Sequence, residues 1–588
     1  MKQVKKGAPQ LAVILVGVVI LALGCLYSWQ LATSLQPINA FWSSDQGVKL
    51  LQIQSFIRQR TSLAVAYPGA VYDPEQRFTP LRGQFLQVGE RSYGMFSDAF
   101  AIASSPFFFL FGYPGLYVLP LAAGLLSLAA IFWIARPLIG AWAALLVVLV
   151  SGLASPLWFY SVVFWEHTPA LLLLLIAIGL IQRGLDDQRL WRLVVAGGCF
   201  ALAAWLRNEA VLAVPAALVV LLRMGGPWLQ RLLALGGGAA IGMAPLLIYN
   251  QITFGAFVGP HVLVHLLAEP AAPATLTPWS VWLAEALQGR QIWFDFLLVP
   301  SAPPLIFWPT LLVLGVLGMQ ALIGQRLQSW PERQQQIWRG GAWIVVAALI
   351  VLAFGLQTYR PGQFQTALIV AFPLALVGFL PVAQLPQSPA QRLLWQWSVW
   401  FIGLCWLAKL PDGGAQWGPR MLLPTFPLLL IIAVDRLRQW LAIPEARGVA
   451  AGLIGATFLL GNVALFSQLA GLRELHAFNQ ANHTLVSTVA QSDQRVIITD
   501  TVYAPYLLAQ IYYEDRLIYR VDNGADFEAL VTQLAAGGVR SFYYLGRDEQ
   551  RLRSESAIWG QLVAQEEPTK LPHLLFGTVY RINLVTDR

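Results

Sequence analysis

Charged side chains make up only 12% of the 588 residues, about half of what a soluble domain carries. That leaves too little polar surface for a water-soluble globular protein. Cysteine is nearly missing as well. Cys25, Cys199 and Cys405 all lie in apolar blocks, with spacing that reads as neither a disulfide framework nor a metal cluster. Ala22-Leu23-Gly24-Cys25 lacks the leucine that a lipoprotein cleavage site places three residues before its cysteine, and the apolar run continues through Leu26 and Tyr27. The segment therefore reads as an uncleaved signal anchor. No internal repeat relates the two halves, and in the C-terminal tail no glycine-rich phosphate fingerprint follows a strand. The net charge of +8 is not gathered on one face. Its basic residues sit in short loops between apolar blocks, a pattern that reports membrane topology and excludes nucleic acid as a partner.

What is abundant is apolar, at 57% of positions, and it falls in blocks of bilayer-spanning length, about 20 residues of helix each. The first covers Leu11 to Thr33, after Lys2, Lys5 and Lys6. Further spans read near 113–135, 139–159, 162–182, 194–206 with 210–223, 232–252, 304–325, 341–357, 364–385, 393–409, 421–437 and 448–470. That makes about thirteen spans. The short pair flanking Arg207 also reads as one broken helix with a re-entrant piece. Arg136, Arg183, Arg189, Arg192, Arg223, Arg231, Arg326, Arg333, Arg339, Arg392, Arg436, Arg438 and Arg447 then all fall on the side of the N-terminus, which the positive-inside rule makes cytoplasmic.

The long outer segments are 34–112 and 253–303, followed by everything after Leu472. Loops of that length are uncommon unless they do something. Gln46 to Arg60 and Phe100 to Phe111 read as helices lying along the membrane surface. The tail regains soluble composition, with apolar runs at Arg495–Asp500, Arg516–Val521 and Ser541–Leu545 and a helical stretch over Asp526–Ala536. The expected architecture is an all-α polytopic membrane bundle over 1–472 with a small extracytoplasmic α/β domain over 473–588.

Ionisable residues at the outer ends of spans are candidates for function, because an unpaired charge is costly there. Four groups collect on that side: Ser43-Ser44-Asp45-Gln46-Gly47, Trp165-Glu166-His167, Arg207-Asn208-Glu209, and Gly413-Gly414-Ala415-Gln416-Trp417-Gly418-Pro419-Arg420. Cations to hold a phosphate and carboxylates to take a proton are the equipment of a group-transfer site. Each group also has a plain structural reading. Asp45 caps a helix well, Glu166-His167 starts an interfacial helix, Arg207 and Glu209 neutralise each other, and Arg420 anchors a loop shaped by glycines and proline.

In order and sidedness these features resemble the GT-C class of membrane glycosyltransferases, especially the branch of protein O-mannosyltransferases and lipid A aminoarabinose transferases. Asp45 stands where that class places an acid at the opening of its first outer loop. Tyr93-Gly94-Met95-Phe96 to Ser105-Pro106-Phe107 is similar to its stretch before the second span. Tyr249-Asn250 to Phe254-Gly255 is similar to a Tyr-Asn-x-x-x-Phe-Gly run in bacterial members, Pro304 to Trp308-Pro309 to their next span entry, and Trp417-Gly418-Pro419-Arg420 to Pro424 to their late Gly-Pro-Arg loop. The likeness covers about residues 10–440. Where many relatives carry two adjacent acids, Asp45 is followed by Gln46, so no metal is assigned.

The resemblance implies a cell-envelope enzyme of the plasma membrane, with its N-terminus cytoplasmic and its C-terminal domain outside. It would move a sugar from a polyprenyl-phosphate donor to a lipid, glycan or protein acceptor with inversion. Asp45 would be the general base, Arg420 and Arg207 would bind the donor phosphate, and Glu166, His167 and Glu209 would orient the acceptor or support the base. The rival readings are a multispan transporter or lipid flippase, against which the missing repeat and the large outer segments weigh, and a polysaccharide polymerase or ligase.

Overall fold

The computed structural model describes residues 8–59, 62–268, 330–356, 371–379, 388–408, 417–442, 447–546, 563–570 and 578–584. Its longer helices are α1 (Ala8–Ala32), α2 (Ser44–Gln59), α3 (Asp98–Phe111), α4 (Val118–Ile139), α5 (Ala141–Leu153), α6 (Pro156–Ser161), α7 (His167–Asp186), α8 (Leu190–Leu206) and α9 (Ala213–Arg223). They continue with α10 (Trp228–Phe254), α11 (Pro260–Ala268), α12 (Glu332–Leu356), α13 (Pro389–Leu407), α14 (Thr425–Leu441), α15 (Arg447–Ala490) and α16 (Gly524–Ala536). Strands are β1 (Phe85–Val88), β2 (Arg91–Gly94), β3 (Val496–Thr499), β4 (Leu517–Arg520), β5 (Ser541–Leu545), β6 (Val563–Lys570) and β7 (Thr578–Leu584).

Among the described residues five helices are long and apolar enough to cross a membrane: Gln10–Ala32, Tyr113–Ile139, His167–Asp186, Trp228–Phe254 and Val449–Ala490. Ile14 and Leu21 on α1, Ile241 on α10 and Phe458 on α15 are exposed, the arrangement expected where lipid rather than water is the solvent. The chain is a mostly helical, multi-pass membrane protein. The expected spans 304–325 and most of 364–385, the greater part of the 253–303 loop, Pro304 to Pro309 and Gly413 to Gln416 lie outside the described residues.

The chain divides into two compact units. The first comprises Met1–Gln30, Leu119–Leu246 and Leu276–Arg473. In it α8 and α10 approach backbone to backbone. A Cβ on Gly197 would stand 2.1 Å from the Leu235 carbonyl oxygen, and one on Gly238 would stand 1.9 Å from that of Val194. In lipid no hydrophobic effect drives helices together, so close packing through small residues takes its place. The apolar block around Arg207 is broken into α8 and α9. Arg207 itself is extended (φ −140°, ψ 119°), and a 3₁₀ turn, Asn208–Leu212, follows it.

The second unit comprises Leu31–Val118, Leu247–Thr275 and Glu474–Arg588. Its larger sheet has the order β4-β3-β5-β7-β6, with β3 parallel to β4 and β5, and β7 antiparallel to its neighbours. Apolar residues of α16 (Phe527, Leu530, Val531, Leu534) pack with the strand residues Ile498, Tyr519, Phe542 and Ile582 into one core, which also takes in Phe78 from the first outer segment. That segment is tied down by the bond from Arg520 N to Phe78 O (2.9 Å) and by the hydroxyls of Tyr519 and Tyr506, which donate to Gly69 O and Arg82 O. Strands β1 and β2 form a hairpin across Gly89-Glu90, where Gly89 takes φ +60°, as a two-residue turn with glycine first requires. Helix α2 lies so close to Tyr506 that a Cβ on Gly47 would stand 1.8 Å from that carbonyl oxygen, which explains the glycine of the Asp45-Gln46-Gly47 run.

Candidate functional site

In the first unit, five of the six residues singled out from the sequence meet at one place. Glu166 sits just before α7 and His167 begins it, and both are buried. Because α8 stops at Arg207, that side chain turns toward them. Its Nη1 donates to Glu166 Oε1 at 3.0 Å, its Nε donates to Glu209 Oε1 at 2.6 Å, and its Nη2 also reaches Glu209. One guanidinium thus serves two acids brought in from 41 residues upstream and two residues downstream.

Arg420 enters from the other end of the chain. It opens a 3₁₀ turn, Arg420–Leu422, and is 8% exposed, with its guanidinium carbon 5.1 Å from the centre of the Trp165 ring. Trp417, three residues before it, is held at both backbone groups. The Tyr160 hydroxyl donates to Trp417 O (2.9 Å) and accepts from Trp417 N (3.1 Å). Gly418 has φ +67° where a Cβ would press on Ala371 and Pro156, and Gly471 leaves room for the Trp417 ring. Tyr160, Trp165 and His167 stack on one another with centroids 4.6 to 5.9 Å apart. Stacked rings beside a guanidinium favour its place there.

A narrow cavity of about 20 Å³ is lined by His167, Arg207, Glu209, Phe401, Arg420 and Pro424 among others. It has room for a water-sized guest. Chemically the place offers one cation on an aromatic platform beside an arginine already shared by two acids. Removing that shared cation leaves both acids without it, a loss of about 3–5 kcal/mol for a buried pair. Arg207→Met is therefore expected to lower the unfolding midpoint in detergent by many degrees, and a midpoint within a degree of wild type would contradict the arrangement.

Asp45 belongs to the second unit, in the first turn of α2, where the unsatisfied N–H groups favour a carboxylate. It is half-buried. Gln46 closes the turn leading into α2, where its Oε1 accepts from the backbone N–H of Trp42 (2.8 Å) and Ser43 (3.2 Å). Sequence reasoning passed over Tyr160, which sits in an unbroken apolar run and carries no local signal. It also passed over Asp98, whose place after Ser97 at a helix start reads as ordinary capping.

Residues 102–249 match the family model described as dolichyl-phosphate-mannose-protein mannosyltransferase. The match contains Glu166, His167, Arg207 and Glu209 and leaves out Asp45 and Arg420. A comparison with curated proteins gave no match. Among solved structures, the oligosaccharyltransferase of Archaeoglobus fulgidus in its apo form is similar at TM-score 0.49 and 12% identity, over 93% of this chain and 70% of that one. ArnT from Cupriavidus metallidurans bound to undecaprenyl phosphate is similar at TM-score 0.48 and 13% identity, over 97% of both chains. Through the matched segment the chain resembles the mannosyltransferase branch of the GT-C membrane glycosyltransferases.

Proposed function

We propose that this protein transfers a sugar from a polyprenyl-phosphate carrier to an acceptor hydroxyl on the outer face of the plasma membrane, with inversion at the anomeric carbon. The observation that carries the reading is Arg420, a buried guanidinium placed over the Trp165 ring at a cavity shared with His167, Arg207 and Glu209, in the unit that holds residues 119–246 of the segment matching the mannosyltransferase model. A planar cation that stays charged at any working pH suits a leaving phosphate.

In this reading the acceptor oxygen attacks the anomeric carbon and its proton passes to the Asp45 carboxylate. The bond from that carbon to the phosphate oxygen breaks, and its electron pair leaves with the lipid phosphate, whose charge Arg420 stabilises. Arg207 acts chiefly by holding Glu166 and Glu209 in place, since its Nε, Nη1 and Nη2 are engaged with them. Glu166 and His167 orient the acceptor. Lipid-linked donors fit an outer site because nucleotide sugars are made inside the cell. Solved relatives are similarly described with lipid phosphates: ArnT with undecaprenyl phosphate, and the archaeal oligosaccharyltransferase AglB with a dolichol-phosphate and an inhibitory peptide.

The test is an assay of the purified protein with lipid extracts. Loss of one polyprenyl-phosphate sugar together with growth of a glycosylated product supports transfer. Movement of intact lipid-linked sugar across a vesicle membrane, with no new glycoside, supports the transporter reading instead. The same reading places 1–472 as the membrane domain, with its N-terminus inside, and 473–588 as the outer domain. An Arg540→Cys variant is then expected to be labelled by an impermeant thiol reagent in intact cells. Protection at 540 with labelling near Arg333 would reverse the topology.

A further inference from the structure

The second unit contains a half-buried carboxylate that the proposed reaction does not use. Asp98 begins α3 behind its cap, Ser97, whose hydroxyl oxygen accepts from Phe100 N. Its two oxygens accept from two different parts of the chain: Oδ1 from Gln52 Nε2 at 2.9 Å and Oδ2 from the Tyr249 hydroxyl at 2.8 Å. Gln52 is fully buried on α2, seven residues and two turns beyond Asp45 and so on the same face. Its Nε2 also reaches Phe96 O at 3.3 Å, and among the described residues its Oε1 has no hydrogen-bond partner. The Phe96 ring lies 4.7 Å from Nζ of the buried Lys49.

Tyr249 is fixed in turn by the run singled out in the sequence. Its ring meets Phe254 edge-on (5.9 Å), and Phe254 meets Tyr93 in the same way (5.3 Å). Asn250 Nδ2 donates to Phe257 O, and Gly255, at φ +70°, ends α10 in the left-handed conformation that favours glycine. The Tyr-Asn-x-x-x-Phe-Gly run thus works here as a mount for one phenol aimed at one carboxylate.

We infer that Asp98 is a positioning residue for the base on α2: as a carboxylate it joins α2 to Tyr249, and on gaining a proton it turns the Gln52 amide and frees Phe96. This rests on the transferase reading. The chemistry follows from donor counting. Gln52 Nε2 and the Tyr249 hydroxyl are both donors, which suits a carboxylate. A protonated Asp98 has a proton to give, and the open acceptor on α2 is Gln52 Oε1. Turning that oxygen toward Asp98 takes Nε2 away from Phe96 O, so the segment before α3 loses its bond to the helix that carries Asp45.

The exchange falls within a physiological range. Burial pushes the Asp98 carboxyl up to about 6, although the bonds from Tyr249 and Gln52 pull it down. Among the described residues, the other titratable or charged groups on α2 and on the turn after α3, which pack against α3, are Asp45, Lys49 and Arg58, and Tyr113 and Tyr117; Tyr93 on β2 acts on Tyr249.

The experiment is the pH dependence of transfer from a defined polyprenyl-phosphate sugar by the wild type, Asp98→Asn and Tyr249→Phe. The wild-type rate is expected to fall about tenfold below pH 6, as small displacements of a catalytic group do. Asn has both an acceptor and a donor and so stands in for the neutral acid. That variant is expected to run at the low rate across pH 5.5 to 7.5 with no acid limb. Tyr249→Phe removes a bond that favours the carboxylate, so its limb is expected at higher pH. Stability gives a second readout. The native state favours neutral Asp98, so the wild type loses stability as pH rises from about 4 to about 6. Asp98→Asn does not, and its unfolding midpoint is expected to gain on the wild type across that window. An acid limb unmoved in both variants, or a stability gap that does not open, overturns the role of Asp98 while leaving transfer intact. Absence of transfer by the wild type at every pH sinks the transferase reading itself and this inference with it.

Discussion

Asp45→Asn is expected to lower sugar transfer about 100- to 10,000-fold while leaving expression, thermal stability and donor binding near wild type. Asparagine keeps the size and hydrogen-bonding shape of the side chain but takes no proton from an acceptor hydroxyl. The fold predicts a mild structural effect. The N–H groups of Trp42 and Ser43, which precede α2, are met by Gln46 Oε1, and asparagine is itself a good residue at a helix start. The measurement is single-turnover transfer beside binding of the lipid donor. Wild-type turnover in the variant would make Asp45 a structural residue and leave the proton without an assigned acceptor. A parallel loss of folded protein would mean that the position acts through stability.

Arg420 is the second decisive position. A charge-assisted contact to a leaving phosphate contributes on the order of 2–4 kcal/mol, or about 30- to 1,000-fold in rate. Arg420→Gln is expected to show the whole of that loss. Arg420→Lys is expected to lose more than its conserved charge implies, for two reasons. Lysine cannot offer two parallel N–H groups to phosphate oxygens. It also gives up the guanidinium's contact with Trp165, whose ring centre is 5.1 Å from the guanidinium carbon. Trp165→Leu separates the two effects: it keeps the charge and the fork but removes the platform, and a loss of several-fold is expected. If the Lys and Gln variants both transfer at full rate from a polyprenyl-phosphate donor, the phosphate role fails. With it goes the main residue-level support for a transferase over a transporter.

The structure changes the weight of individual residues more than it changes the set. Arg207 and Arg420 read alike in the sequence, as cations on the side of the membrane where few are placed. Their surroundings separate them. Arg207 is committed to Glu166 and Glu209, whereas Arg420 lies over a stack of Trp165, Tyr160 and His167. Nothing in the run from Pro156 to Phe164 marks Tyr160 as the clamp on Trp417, because a tyrosine in an apolar block is ordinary packing until its partner 257 residues away is known. Asp98 was hidden for the opposite reason, since an acid one residue after a serine at a helix start needs no further explanation.

The properties legible along the chain were those that repeat locally. Blocks of apolar residues show a membrane protein, because each span must satisfy its own backbone in lipid. Glycine, proline and charge at the block ends mark where chemistry is placed, because a charge there needs a reason. Which charges meet was decided only by the tertiary structure. Glu166 and Arg207 are 41 residues apart, and Asp98 and Tyr249 are 151 apart. No propensity or period links such positions. Their pairing follows from how the elements that carry them pack, and a hydrogen bond of about 3 Å is met or missed by the sum of every contact between its two ends.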